Sequence, residues 1–342
     1  MKINIFFDIQ DGSRGGANQF LRALRNEFDR RGIYEIDPLK ADVIILNSYH
    51  KLDEIFSFMI TKPEAILLHR LGPVFHYHRG KAWKPYDRFI IRFANALTDG
   101  IIFQSEWSHK EAETLGLKES MKTAIIHNAA DGNIFNRSAA KTYPDIDRRF
   151  RLIASSNSDN REKGSGYFEF LDKHLDFTKY KMTFVGRSKS AFANIEHIPP
   201  QESKRLAKLL KSADAYVSPV RNEACSNAIL EAFACGLPVI ALNDSSNPEI
   251  VGAAGELFHG KDDLLERIER IRNNHASYTE AIRKRTMSDV TDRYIEFMES
   301  CISTRAGERI PMTIKIYRLI HHIIRLIVLL SDKFASLSSN RR

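Results

Sequence analysis

An α/β chain built as two Rossmann-like domains is what this sequence predicts, and three observations carry the prediction. Its 342 residues exceed one ordinary domain and suit two. Short β-branched apolar runs alternate with helix-length segments along most of it. A polar stretch from Arg137 to Arg149, holding Pro144, interrupts the alternation and reads as a linker. The implied organisation is a domain over 1–140, a second over 141–285, a closing helix over 286–303 and a basic amphipathic tail over 304–342.

The strand-like runs of the first half are Ile3–Phe7, Val43–Leu46, Ala65–Leu68, Gly100–Phe103 and Thr123–Ile126. Those of the second are Arg151–Ala154, Met182–Val185, Tyr216–Ser218 and Val239–Leu242. Apolar runs without alternation, set between helices, predict parallel strands covered on both faces. The opening run is too short for the apolar core of a signal peptide and lacks a cleavage site, so it reads as a first core strand. No window approaches the ~20 uncharged residues that span a bilayer. The three cysteines, Cys225, Cys235 and Cys301, have no paired spacing. That predicts free thiols in a reducing cytoplasm, the first two within one apolar helical stretch.

The formal charge of +8 invites a nucleic-acid reading, but +6 of it lies between Thr304 and Arg342. The body is therefore nearly neutral, and no nucleic-acid groove is expected.

Ligands of open parallel sheets bind beyond the carboxyl ends of the strands, so the residues following each strand matter most. After the first comes Asp11-Gly12-Ser13-Arg14-Gly15-Gly16, then a helical segment from Asn18 to Arg31. Paired glycines let backbone amides approach an anion at a helix start. Farther on, a strand ends at Pro219, a polar loop holds Glu223, and Ser226 or Asn227 caps a helix running to Gly236. Its free amides form an anion site. Glu231, about one turn in, is placed to accept hydrogen bonds from vicinal hydroxyls. For two arbitrary glutamates the plainer reading is surface charge that complements the helix dipole.

The block Glu223, seven residues, Glu231, then Ala-Phe-Ala-Cys-Gly-Leu-Pro-Val-Ile resembles the signature of retaining GT-B glycosyltransferases, specifically glycosyltransferase family 4. Other segments match that family in order: Gly15-Gly16, Phe103-Gln104-Ser105-Glu106-Trp107-Ser108, the Asn128–Asp131 turn, Lys163-Gly164, Phe184-Val185-Gly186 and Pro248-Glu249-Ile250-Val251. The likeness covers about residues 1–300. It implies a GT-B fold, two domains facing each other across a cleft that binds a nucleoside-diphosphate sugar. Glu231 would hold the donor ribose and Glu223 the donor sugar. Cys225, Ser226 and Asn227 would face the diphosphate or sugar edge, with Gly15, Gly16 and Gly186 lining the donor and Lys163 neutralising phosphate. The family usually has Arg five residues before that lysine. Here Ser158 stands there, and Arg161 is expected to supply part of the charge, with Arg14 as the other source.

His69 and Arg70 follow Leu67-Leu68 and are expected to line the acceptor side, the first near the sugar and the second near phosphate or acceptor. The bland alternative for His69 is a packed core histidine. His76, His78 and Arg79 follow in a stretch expected to be mobile, with Trp83 and Tyr86. Histidines 69, 76 and 78 lack a carboxylate or cysteine at ligand spacing, so no metal is expected there. Asp145-Ile146-Asp147 matches the metal motif of another glycosyltransferase fold, but it sits in the linker and reads as surface charge. No cofactor is expected, since Lys163 and helix amides neutralise the diphosphate.

In the tail, Lys315, Arg318, His322 and Arg325 recur at i, i+3, i+7 and i+10. With His321 they fall in an arc of roughly 120° at ~100° per residue, although Ile314 and Leu329 intrude. Most of the remaining face is apolar. This predicts a helix over 312–334 lying on an anionic membrane surface, with packing on the chain's own core or on a partner as the alternative. The combined expectation is a retaining, metal-independent glycosyltransferase at the inner face of the cytoplasmic membrane. It would act on a saccharide or lipid-linked saccharide acceptor in bacterial surface polysaccharide or glycolipid assembly. The rivals are a nucleotide-sugar epimerase of the same fold and a non-catalytic basic membrane-surface binder.

Overall fold

The structure is a computed structural model and describes residues 1–10, 16–72, 75–137, 149–156, 158, 163–305, 307 and 309–339. Most of the expected linker, with Pro144 and Asp145-Ile146-Asp147, lies outside the described residues. By internal contacts the chain divides into two units. Met1–Asp8, Arg25–Ile126 and Thr291–Arg342 form the first, and Ile9–Leu24 with His127–Val290 the second.

The first unit holds one parallel sheet of β1 (Ile3–Ile5), β2 (Val43–Asn47), β3 (Ile66–Leu71), β4 (Gly100–Phe103) and β5 (Thr123–Ile125), hydrogen-bonded in that order. Each connection steps one strand onward in the same direction. The intervening helices are α1 (Gly16–Arg30), whose first half counts with the second unit, α2 (Leu52–Thr61), α3 (Phe75–Arg79), α4 (Lys84–Leu97) and α5 (Glu106–Thr114). All five residues of β2 are buried, as the unbroken apolar run demands. Ile44, Leu46 and Leu67 share a core with Ile55, Phe56 and Met59 of α2 and Phe89, Phe93 and Leu97 of α4. A reciprocal Ser105–Ser108 capping box starts α5.

The second unit is built on β6 (Phe150–Ser156), β7 (Tyr180–Gly186), β8 (Glu196–Ile198), β9 (Ala215–Ser218), β10 (Val239–Leu242) and β11 (Gly255–Phe258). Its helices are α6 (Ser165–His174), α7 (Ser203–Lys211), α8 (Asn227–Ala234), α9 (Asn247–Val251), α10 (Lys261–Asn273) and α11 (His275–Glu280). The parallel sheet has the order β11-β10-β9-β6-β7-β8. The chain enters at β6, runs outward through β7 and β8, then crosses back to β9 and runs outward the other way. Strand order therefore reverses between β6 and β9, which is the topological switch point of a doubly wound sheet.

Alternate residues feed two separate cores. Ile153, Tyr216, Val239 and Ala241 pack with Leu210, Ile229 and Ala232 of α7 and α8. Leu152, Ala154, Val217 and Ile240 pack with Phe168, Leu171, Leu264 and Ile268 of α6 and α10. Period-two side chains apolar on both faces are why these segments looked like continuous runs. The edge strands β8 and β11 were not anticipated. Glu196 and His197 are exposed and Gly255 to Leu257 are half-buried, so neither edge has a fully apolar run.

Beyond α12 (Met287–Ser303) the chain continues into α13 (Pro311–Ser339). Arg309 ties the connection to the first unit, donating to the carbonyls of Pro63 at 3.0 Å, Ala65 at 2.8 Å and Leu97 at 2.8 Å, and pairing with Asp99. Ile314 and Val328 of α13 are buried beside α2 and α4, with Tyr317 and Ile324 partly so. The expected cationic arc is partly consumed in this packing. His321 is buried against Phe56, Tyr86 and Phe89, and Arg325 donates to Asp53 at 2.7 Å. Among the described residues no helix is long and apolar enough to cross a membrane.

Candidate active site

Two strands flank the reversal, and the loop after each delivers a charged group. Beyond β6 the chain reaches Lys163 and Gly164, and beyond β9 it reaches Glu223. Gly164 is left-handed at φ 85°, and a Cβ there would run into the ring of Pro219. Only glycine allows that approach, which brings the Lys163 loop against the end of β9. Lys163 Nζ donates to Glu223 Oε1. The lysine is poorly solvated, which pushes its ammonium down to about 8.

Glu223 is fixed by a loop that sequence reading passed over. Its amide donates to Ser245 Oγ at 3.1 Å, and the amide of Asn222 to Asp244 Oδ1 at 2.8 Å. Asn222 and Ser245 are non-glycine residues at φ 55° and 50°, backbone strain of the kind that clusters at functional sites. Asp244 and Ser245 lie two and three residues past the end of β10, where the carboxyl-end rule points.

Ser226 is the N-cap of α8 but makes no side-chain capping bond, so the first-turn amides are not closed off by it. Asn227 opens the helix and accepts from Asn128 Nδ2 at 2.8 Å. A Cβ on Gly16, the first residue of α1, would stand 2.5 Å from Asn227 Nδ2. The N-terminal ends of α1 and α8 thus converge, and their dipoles favour an anion at the same place. Glu231 lies one turn into α8 and is 8% exposed. Burial pushes its carboxyl up to about 8, so at neutral pH it is mostly protonated and can both donate and accept.

Glu231 and Asn227 line a cavity with Gln19, Arg22, Asp131 and Ser203, and Gln19 donates to Ser203 Oγ at 3.0 Å. No motif had pointed to Gln19, Arg22 or Ser203. The cavity holds about 40 Å³, far below the ~300–1,000 Å³ of ligand pockets, so admitting a nucleoside requires its lining to shift. His127, just before the Asn128–Asp131 turn, meets Glu249 through Nε2 and Oε1 at 2.5 Å.

Several expectations need correction. Gly186, at φ 144°, ends β7 where a Cβ would collide with the carbonyl oxygen of Ser156, so this position requires glycine whatever lies beside it. Cys225 and Cys235 flank α8 rather than lie within it, both buried, and desolvation pushes the Cys235 thiol up to about 12. His69 does not end a strand, because β3 continues to Leu71. It is fully buried, bonded through Nε2 to Ser48 O at 2.7 Å and set edge-on to Phe93, with its imidazole pushed down to about 4 by burial. Such a group reaches no substrate, and the core alternative describes it. Arg70 is likewise buried, donating to Asn47 Oδ1 at 2.6 Å. The stretch expected to be mobile contains α3, whose first amides donate to Asp87 at 3.1 and 2.8 Å. Gly15, Arg14 and Arg161 lie outside the described residues; Ser158 N approaches Ser156 Oγ at 3.3 Å. Among the described residues no group of His, Cys, Asp or Glu could hold a metal ion.

A doubly wound unit with a helix start and a buried carboxyl beside its switch point belongs to the Rossmann-like class of α/β proteins. Solved structures narrow the fold. HepE of Anabaena, in complex with UDP-glucose, superposes with a TM-score of 0.69 at 15% identity, over 88% of this chain and 100% of that one. Sucrose-phosphate synthase of Thermosynechococcus elongatus gives 0.68 at 13%, over 89% and 100%. The fold is GT-B. Residues 179–287 match the family model of group 1 glycosyl transferases, as the Glu223–Glu231 resemblance implied. A probable sucrose-phosphate synthase of Thermosipho melanesiensis is 26% identical over 214 residues, 55% of this chain. The match spans only 48% of that relative's length. An uncharacterized 41.2 kDa protein in the cps region of Klebsiella pneumoniae is 26% identical over 242 residues, 64% of this chain and 67% of that one.

Proposed function

We propose that this chain transfers a sugar from a nucleoside-diphosphate donor to an acceptor hydroxyl, with retention of anomeric configuration. The observation that carries the reading is the placement of Lys163 and Glu223 after the two strands flanking the reversal, beside buried Glu231. UDP-glucose in the Anabaena HepE complex supports the donor class. The ribose hydroxyls would pair with Glu231. The diphosphate would take the amides of α8 and draw Lys163 from Glu223, freeing that carboxylate for a sugar hydroxyl. As the nucleoside diphosphate leaves, negative charge grows on its phosphate, and Lys163 and the amides are fixed in advance to receive it. Retention rests on the family resemblance, with attack on the face the leaving group vacates within an ion-pair-like state. Because the protein supplies the positive charge, we assign no metal to the step, and a chelator should leave the rate unchanged.

We place the enzyme at the inner face of the cytoplasmic membrane, in surface polysaccharide or glycolipid assembly. The outward face of α13 supports this, with Leu319 61%, Ile323 51% and Leu326 59% exposed beside Lys315 and Arg318. The test is incubation with a panel of nucleoside-diphosphate sugars, with and without saccharide acceptors, and assignment of the product anomer by NMR. A retained anomer that forms only with acceptor agrees. Inversion contradicts the mechanism, and product from donor alone makes the protein an epimerase.

A further inference from the structure

We propose that the first unit carries a second binding site, for a lipid head group ending in a phosphate, in the pocket between α4, the end of α5 and α13. The inference rests on the membrane reading given above and deepens it by naming what α13 docks beside. The pocket is about 400 Å³ and is lined by Arg88, Arg92, Asn95, Lys118 and Tyr317 among others.

Its walls follow from local structure. Arg88, Arg92 and Asn95 recur at i, i+4 and i+7, which stacks them on one face of α4 while Phe89, Phe93 and Leu97 face the core. After α5 the chain turns at Gly116, left-handed at φ 101°. Asn95 holds that turn, donating to Gly116 O at 2.8 Å and accepting from the amide of Lys118 at 3.2 Å. Lys118 is thereby set opposite the two arginines. All three cations are exposed and have no ion pair among the described residues, so the pocket is strongly positive and unneutralised. Two guanidinium forks and an ammonium around a concave surface suit a terminal phosphate of nearly two charges.

The pocket's setting says what carries the phosphate. Tyr317 belongs to both the pocket and the packed stripe of α13, with its ring 6.2 Å from Phe89. Turning outward from Tyr317 at ~100° per residue, the apolar side chains met include Ile320, Ile316 and Ile323. They are 38%, 50% and 51% exposed. A head group in the pocket would leave its acyl chains along this apolar face. Lys315 and Arg318 edge the face on its other side, also without an ion pair among the described residues. An apolar strip bounded by cations on both sides complements an anionic bilayer surface and no soluble phosphate compound.

The test uses the full-length protein and phosphatidylcholine vesicles containing phosphatidic acid or phosphatidylglycerol at matched surface charge. The proposal expects tighter binding to phosphatidic acid. Arg88→Ala with Arg92→Ala should lower that binding roughly 10- to 30-fold, to the phosphatidylglycerol level. Arg88→Lys with Arg92→Lys, which keeps charge but loses the forks, should fall between. Equal binding of both lipids by the wild type, or a preference surviving the alanine pair, overturns the pocket while leaving the membrane reading intact. Competition by soluble glycerol phosphate as effective as by the lipid overturns the lipid assignment. Failure of the wild type to bind any vesicle, or binding unmoved by Leu319→Ser with Ile323→Ser, sinks the membrane reading itself and the pocket with it. Phosphatidic acid preference lost in the alanine pair, with glycerol phosphate ineffective, is the supporting result.

Discussion

In the second unit the chain enters its sheet at β6 and works outward in both directions, whereas in the first it steps from β1 to β5 without turning back. The reversal opens a crevice at the strand ends, and the second unit fills it with Lys163, Glu223 and a helix start. The first sheet has no such reversal, and the polar side chains buried on its β3, His69 and Arg70, are locked into packing. Its surplus lies outside, in a C-terminal helix that leaves an apolar face uncovered. On the proposed function, similar parallel sheets would divide the labour by topology, one building the chemistry and the other a surface.

The largest expected effects break this contrast at the site. Lys163→Met and Glu223→Gln should each lower kcat/KM about 10²–10³-fold, while His69→Gln leaves it within a few-fold. Steady-state rates on one donor and acceptor pair decide the matter, and an equal loss in His69→Gln would return that residue to the reaction.

Backbone geometry sharpens the contrast next. Gly186→Ala drives a methyl into the Ser156 carbonyl at a left-handed position, a loss of at least about 1–3 kcal/mol. Gly116→Ala, at φ 101° in open space, should lose only about 1 kcal/mol. Urea unfolding of the two variants compares them.

The buried acids and bases then pull with opposite signs. The Glu231 carboxyl is raised from 4.5 to about 8, so the stability it lends is full below pH 4.5 and lost as pH rises toward 8, at up to about 1.4 kcal/mol per unit. His69 is lowered from 6.5 to about 4, so its contribution is full above pH 6.5 and lost as pH falls toward 4. Glu231→Gln should flatten the alkaline limb of the stability profile and His69→Gln the acid limb. Smallest in stability is Leu319→Ser, within about 0.5 kcal/mol by thermal unfolding, though it should weaken vesicle binding.

The sequence was legible where burial is complete. Strands covered on both faces, such as β2 and β10, read directly from their apolar runs. Edge strands β8 and β11 did not, because half-exposed residues carry no such run. Lys163, Glu223 and Glu231 were legible because carboxyl-end loops and a helix start give them fixed spacing. His69 misled because two more residues of strand, Arg70 and Leu71, follow it, and sequence does not mark where a strand stops. Gln19, Arg22 and Ser203 left no signal, since they meet only through tertiary structure. In the tail the periodicity was right, but it could not say that His321 turns inward and Arg325 finds Asp53.

The central claim is a nucleoside-diphosphate site at the β6–β9 reversal, and thermal unfolding with a panel of nucleoside diphosphates tests it most directly. A ligand at about a hundred times its dissociation constant should add ~2.7 kcal/mol to stability. The account predicts that one diphosphate stabilises the wild type and that Glu231→Ala, still folded, loses the effect. Stabilisation by none of them at saturation, or equal stabilisation of Glu231→Ala, would contradict it.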